Sequence, residues 1–361
     1  MRRGCSVLML EQEGTSVINK GKECTAFPEN RLLRSLNFQG EDISDSIVAV
    51  AFMRRRVFRR DMLQPVGSAV SRRFSTICSP LPLPHRREVH LWYIKPEEIN
   101  DSSSQLKHYM DLLSPCEKAA VSSLTGHRLQ KYAILARTLA RTTLSRYYDG
   151  IVDPGSIKFR KGLHGKPEIM RQDGDNITKP PIQFNLSHTS SLIACAVALE
   201  TPIGIDVEEN KRKTAKNVLS IARRYFTISE VEYLAAITCP DFQQKEFIRL
   251  WTLKEAYVKA IGRGFSGAPF KNFTIKMGSD KRAPKIHIEA GSDCEGLTDN
   301  CQFALMELNK SHVVAICMER DQEISGNQNN LLRLKVWRTI PFIEDELVSG
   351  METLNYICGL T

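Results

Sequence analysis

Between Arg128 and Tyr148 apolar side chains return every three or four residues, at Leu129, Tyr132, Ala133, Ala136, Leu139, Ala140, Thr143 and Leu144. This spacing predicts a helix whose opposite face carries Lys131, Arg137 and Arg141. A second helical pattern covers 214–237, with Thr227 as a cap, and the clearest one covers 243–262 and stops at Gly262. Ser114-Pro115-Cys116-Glu117 reads as a helix start, with a capping serine, proline at the first position and glutamate at the third. Val89 to Ile94 reads as a strand. Leu192 to Leu199 is a nearly unbroken apolar run, which predicts a strand buried on both faces. Thr201-Pro202 turns it into another strand, Ile203 to Glu208, and the two are expected to form a hairpin. Alternation over 272–277, 285–289, 301–307 and 312–318 predicts strands of a second antiparallel sheet. From Asp321 the chain turns polar, and 330–361 reads as an appended helix or tail. No period of 20–50 residues indicates tandem repeats, and no apolar run is long enough for a membrane-spanning helix.

Composition changes this picture little: 361 residues with 42 % apolar and 25 % charged side chains make an ordinary globular chain of about two domains. Charge changes it more. Fifty basic against 41 acidic residues leave +9, which suits an anionic partner. Nucleic acid is not expected, because no zinc pattern, RNA-recognition motif or basic aromatic stripe accompanies the charge. The 10 cysteines include no C-x-x-C pair, so reduced thiols are expected, without a zinc site or disulfide scaffold.

The basic excess is concentrated near the N-terminus. Residues 1–52 show no clear periodicity and read as a disordered or alternative-start extension. Arg54, Arg55, Arg56, Arg59, Arg60, Arg72 and Arg73 then face one acid, Asp61, among interleaved serines. That is the composition of an organellar transit peptide, and Arg72-Arg73-Phe74-Ser75 resembles a mitochondrial processing site. Translation from Met53 would place this segment at an N-terminus. Mitochondria are the expected destination; a plastid, or the cytosol with a solvated basic arm, are the alternatives. Pro80, Pro82 and Pro84 form a stiff linker within this 53–88 segment.

Three segments carry candidate chemistry. In Gly204-Ile205-Asp206-Val207-Glu208, strand alternation puts Asp206 and Glu208 on one face and Ile205 and Val207 on the other. Two same-side carboxylates persist more easily with a cation between them, and hard oxygen donors suit Mg²⁺. Taken alone, the segment also fits an exposed acidic strand end. Trp251, Glu255 and Lys259 share one helical stripe, which presents a carboxylate and an ammonium to a cleft or forms an ordinary surface ion pair. Phe184-Asn185-Leu186-Ser187-His188 offers a hydroxyl and an imidazole to a phosphate, or simply a structural histidine.

The order F-N-x-S-H, then G-I-D-V-E, then W-T-x-K-E-A-x-x-K-x-x-G resembles the 4′-phosphopantetheinyl transferase superfamily, in its long monomeric form. The resemblance covers roughly Val89 to Arg320. It implies an α+β fold of two similar subdomains, at about 89–199 and 200–320, related by a pseudo-twofold. Each is a small antiparallel sheet with packed helices, and the site lies in the cleft between them. The tail 321–361 has no counterpart. The implied activity is that of a holo-[acyl-carrier-protein] synthase: the phosphopantetheine arm of coenzyme A moves to a serine of an apo acyl carrier protein of fatty-acid synthesis, releasing adenosine 3′,5′-bisphosphate. The implied Mg²⁺ ligands are Asp206, Glu208 and Glu255. Glu255 or Lys259 takes the serine proton. Lys254, Lys259, Ser187 and His188 meet the phosphates, and Arg137 and Lys166 the nucleotide end. Arg160 and Lys161 extend the basic rim, with Arg128, Lys131 and Arg141 beyond it. A catalytically silent binding protein of the same fold is the alternative.

Overall fold

A computed structural model describes residues 80–101, 104–148, 152–170, 181–212, 217–264, 269–278, 286–290, 300–320, 332–349, 351 and 354–359. The arginine-rich segment and the proposed processing site lie outside them. The elements in order are β1 (Glu88–Ile94), α1 (Ser104–Asp111), α2 (Pro115–Ser122), α3 (His127–Ser145), β2 (Phe159–Lys161), β3 (Pro167–Ile169), β4 (Ile182–His188) and β5 (Ile193–Leu199). Then come β6 (Ile203–Glu209), α4 (Val218–Tyr225), α5 (Ile228–Ala235), α6 (Pro240–Ile261), β7 (Phe273–Met277), β8 (Ile286–Ala290), β9 (Cys301–Leu308) and β10 (His312–Glu319). The chain closes with β11 (Arg333–Ile340), β12 (Glu344–Leu347) and β13 (Leu354–Cys358).

The first two series have one plan: strand, three helices, a two-stranded ribbon and two more strands. In each, the last strand pairs antiparallel with both the first and the one before it, giving β1-β5-β4 and β6-β10-β9. This repeat is far longer than the 20–50-residue period of tandem units. Local signals set its helix ends. Ser114 and Glu117 form a reciprocal capping box at α2, with the Ser114 N–H donating to Glu117 Oε2 at 2.8 Å. The Thr227 N–H donates to Glu230 Oε2 at 3.0 Å and opens α5, so the helical pattern before residue 237 divides into α4 and α5. Gly262 ends α6 at φ +68°, where a side chain would be strained.

Strands β5 and β6 do not form the expected hairpin; they belong to different sheets. β5 is apolar on both faces and β6 on the face of Ile203, Ile205 and Val207, and a hairpin in one sheet is not the only way to cover them. Ala194, Ala196 and Ala198 of β5 meet Ile203, Ile205 and Val207 of β6 in a core between the sheets. The other face of β5 packs with α3, and Phe303, Leu305 and Ala315 of the second sheet pack with α6. The layers therefore run helix, sheet, sheet, helix. The alternating segments after Gly262 also divide: among the described residues β7 and β8 form a ribbon of their own, while β9 and β10 join β6.

The C-terminal stretch is not an appended helix or tail. β11 lies parallel to β1 and carries β12, completing the order β12-β11-β1-β5-β4, and β13 extends the other sheet to β13-β9-β10-β6. Leu334 and Val336 enter the intersheet core, and the Trp337 ring stacks on Trp92 at 4.7 Å. The expectation of reduced cysteines needs one correction. Cys116 is disulfide-bonded, while Cys195, Cys301, Cys317 and Cys358 are buried free thiols.

Candidate active site

The acidic strand and the long helix of the second half touch because neither has bulk at the crossing. A Cβ on Gly204 would lie 2.0 Å from the Ala256 carbonyl oxygen and 2.3 Å from the Ala260 nitrogen. Glycine therefore lets β6 lie directly on α6. Strand alternation then turns Asp206 and Glu208 toward the helical positions of Glu255 and Lys259. Lys259 Nζ stands 2.6 Å from Asp206 Oδ1. Strand β4 of the first half adds Ser187, whose hydroxyl donates to Asp206 Oδ1 at 2.9 Å. The Ser187 hydroxyl oxygen in turn accepts from Lys259 Nζ at 3.1 Å and from the Val207 N–H at 3.2 Å. Arg212 closes on Glu208, with Nη1 to Oε2 at 2.5 Å.

This cluster is buried and acidic. Asp206 is 5 % exposed, Glu255 8 %. Burial, and then the charge of Asp206, push the Glu255 carboxyl up to about 8, with Lys259 pulling the other way. Burial likewise raises Glu208, opposed chiefly by Arg212. Burial alone would lower Lys259, but Asp206, Glu255 and Glu208 outweigh it and hold the ammonium protonated. His188, next along β4, is pushed down to about 4 by burial and by Lys259, so its ring is neutral near pH 7.

Among the described residues, no three acidic, histidine or cysteine side chains close around one point as a metal cage. Asp206 and Glu208 are instead drawn to Lys259 and Arg212. Yet Asp206 Oδ2 is buried with no hydrogen-bond partner. Mg²⁺ is ordinarily held by one or two carboxylates together with water and substrate phosphates, so a complete protein cage is not required. A buried hard oxygen lacking a donor, beside a carboxyl whose charged form burial and the Asp206 charge disfavour, fits such an ion.

Other expected site residues are placed elsewhere. Lys254 is fully buried, pairs with Glu230 at 2.9 Å, and donates to the carbonyls of Phe270 and Phe273 at 2.8 and 2.6 Å. Its ammonium also lies 4.2 Å from the centre of the Phe273 ring. The expectation that it meets phosphate is corrected: five residues from Lys259 is not a helical period, and Lys254 faces the core. Lys166, expected at the nucleotide, spends its ammonium on the carbonyls of Ile203 (2.7 Å), Lys259 (2.8 Å) and Ala260 (3.4 Å). It closes the end of α6, where free carbonyls attract a cation.

Arg141 is buried against Glu117 at 2.6 Å and the 154–157 carbonyls, and buried Lys131 pairs with Asp101; neither joins a basic rim. Arg137 donates to the Ala133 carbonyl one turn back, at 3.0 Å. Arg160 pairs with Glu168 at 2.9 Å on the exposed β2–β3 ribbon, where Lys161 is also exposed. Arg212 was not anticipated. It lies four residues from Glu208, but the intervening chain is strand and turn, so helical spacing carried no signal there.

Comparison with known proteins matches this division into halves. Residues 97–200 match the family model "4′-phosphopantetheinyl transferase, N-terminal", and 202–317 match "4′-phosphopantetheinyl transferase superfamily". The chain is 36 % identical over 180 residues to the 4′-phosphopantetheinyl transferase HetI of Nostoc sp., covering 50 % of this chain and 70 % of that one. It is 30 % identical over 220 residues to the 4′-phosphopantetheinyl transferase Sfp of Bacillus subtilis, covering 60 % and 86 %. Against the human L-aminoadipate-semialdehyde dehydrogenase-phosphopantetheinyl transferase it is 28 % identical over 155 residues, covering 42 % and 49 %.

Proposed function

Because the chain belongs to the 4′-phosphopantetheinyl transferase superfamily, we propose that it uses Mg²⁺ to move the phosphopantetheine arm of coenzyme A onto a serine of an apo acyl carrier protein, releasing adenosine 3′,5′-bisphosphate. The observation that carries this reading is the buried meeting of Asp206, Glu208, Glu255 and Lys259 at the crossing of β6 and α6. In the reaction the serine oxygen bonds to the phosphorus bearing pantetheine. The bond from that phosphorus to the bridging oxygen breaks, and the electron pair leaves with the adenosine bisphosphate.

Asp206, Glu208 and Glu255 would hold the Mg²⁺ ion, which when bound supplies charge neutralisation at the diphosphate. The chain's own groups do the rest. Lys259, held protonated by three carboxylates, has no free pair to take a proton and instead offers positive charge to the leaving phosphate. Glu255 takes the serine proton in its ionised form, which Lys259 and a bound cation would favour against the burial that raises its carboxyl. Ser187 holds Asp206 in place, and the neutral His188 ring offers a hydrogen bond at the same strand end.

The test is to incubate the full chain with coenzyme A, Mg²⁺ and apo acyl carrier proteins, beside Glu255→Ala, and weigh the carriers. A phosphopantetheine mass gain with the parent, abolished by EDTA and by the substitution, is expected. Bound coenzyme A with no gain on any carrier would favour the silent binding protein. The Arg- and Ser-rich segment 53–79 supports mitochondrial delivery. Its test is whether residues 53–88 carry a fluorescent protein into mitochondria, rather than leaving it in plastids or cytosol.

A further inference from the structure

Strand β6 carries two of the site's carboxylates, yet it is an edge strand: its sheet runs β13-β9-β10-β6 and stops. One side of β6 pairs with β10. The other would leave backbone groups unpaired in a buried cleft, which costs about as much as losing hydrogen bonds. Among the described residues no strand covers this side. The first half covers it with three side chains. Lys166 Nζ donates to the Ile203 carbonyl at 2.7 Å, Asn185 Oδ1 accepts from the Ile205 N–H at 2.9 Å, and Ser187 Oγ accepts from the Val207 N–H at 3.2 Å. Residues 203, 205 and 207 are alternate positions of the edge, so the three contacts form a ladder along it. Asn185 and Ser187 are likewise alternate positions on β4, itself the last strand of its own sheet. Two sheet edges therefore meet through side chains.

We propose that this side-chain ladder sets the position of Asp206 and Glu208 for metal binding, and that Asn185, its middle rung, is a positioning residue of the active site. The inference rests on the metal role proposed above for Asp206 and Glu208. Asn185 is 6 % exposed and its acceptor is committed to β6. The Ile205 N–H it holds lies one residue before Asp206. Ser187 binds both the Val207 N–H and the Asp206 carboxylate. Lys166 ties the strand's first residue to the end of the helix that carries Glu255 and Lys259. The ladder thus joins β6 and α6 to the first half at the points flanking the carboxylates. Partners that orient metal ligands typically change affinity or activity 10–100-fold when removed.

The experiment uses the full chain and reads metal binding without turnover. Mn²⁺ is titrated by electron paramagnetic resonance in the absence of coenzyme A and carrier, for the parent, Asn185→Leu and Asn185→Asp. Hydrogen exchange follows the Ile205 amide in the same proteins. Asn185→Leu removes the acceptor at similar size; Asn185→Asp keeps an acceptor. The expected result is Mn²⁺ affinity weakened about 10-fold or more in the leucine variant, with the Ile205 amide losing protection and KM for coenzyme A changed less than kcat. The aspartate variant should retain an affinity near the parent's. A folded leucine variant that binds Mn²⁺ like the parent overturns the proposal. So does a rise in KM for coenzyme A with metal affinity unmoved, which would make Asn185 a substrate contact. Should Asn185→Leu fail to fold, Asn185→Ser and Lys166→Met are titrated in its place against the same criteria. A parent that binds Mn²⁺ through Asp206 but modifies no carrier would fault the assigned reaction and leave the ladder standing.

Discussion

In the first half, the cations of the long helix α3 serve the backbone. Arg141 is buried against Glu117 and the carbonyls of Pro154 and Ile157, and Lys131 against Asp101 and the Ile99 carbonyl. In the second half, built to the same order of elements, α6 divides its charges. Lys254 is used as α3 uses its cations, with one carboxylate, two carbonyls and aromatic rings around it. Lys259 faces Asp206, Glu255 and Glu208. Lys254 is fully buried and Lys259 partly so; burial pushes Lys254 down to about 8 while Lys259 is held above its ordinary value. The number of facing carboxylates decides the direction, and an excess of unsatisfied acid on one face is what separates chemistry from architecture here.

The largest effect should come from removing that excess. Glu255→Gln keeps shape and removes the base, so kcat is expected to fall about 10²–10⁴-fold with the fold retained by circular dichroism. Carrier mass against time measures it, and near-normal turnover would break the contrast between the two faces of α6. Lys254→Met should act oppositely. It leaves Glu230 buried without its cation, which costs roughly 3–5 kcal/mol of stability, while the molecules still folded transfer at the parental rate. Urea unfolding and kcat/KM read the two effects separately, and parental stability with lost turnover would return Lys254 to the phosphate.

Gly204→Ala is next. Its methyl group would overlap the Ala256 carbonyl, and overpacking of this kind costs about 1–3 kcal/mol or more. Activity should fall further than stability alone explains, because β6 must retreat from α6. Thermal melts and transfer rates on one preparation check this. The smallest effect concerns Lys166, which burial pushes down to about 8. The unfolded chain keeps this proton to higher pH than the folded one. In that window the unfolded state binds more protons, so stability rises with pH between about 8 and 10. The urea midpoint of the parent should therefore climb over this range relative to Lys166→Met, which lacks the group. Parallel curves would mean that Lys166 is solvated rather than held by the end of α6.

Much of the site was legible because strand and helix periods act locally. Asp206 and Glu208 share a face in any strand, and Glu255 and Lys259 share a stripe in any helix. The Ser114 and Thr227 caps and the Gly262 stop follow from the chemistry of two or three neighbouring residues. Lys254, Lys166 and Arg141 were misread for a common reason. A lysine or arginine in sequence carries no sign of whether carbonyls or phosphates will meet it. Asn185 stood in plain view within Phe184–His188, but its task depends on an edge strand that only the assembled halves bring to it. The C-terminal strands were missed because β11 pairs with β1 across nearly the whole described chain.

By itself, then, the amino-acid sequence determined the helices, most strands, the acidic excess and its spacing, because these rest on contacts within a turn or a pleat. The tertiary structure decided the rest: that β5 and β6 part into facing sheets, that the last residues complete both sheets, and which buried cations hold carbonyls rather than facing the carboxylates. Those outcomes depend on which surfaces find each other after long loops close. The decisive energies, the burial of apolar faces and the pairing of backbone groups along an otherwise open edge, exist only once distant segments meet.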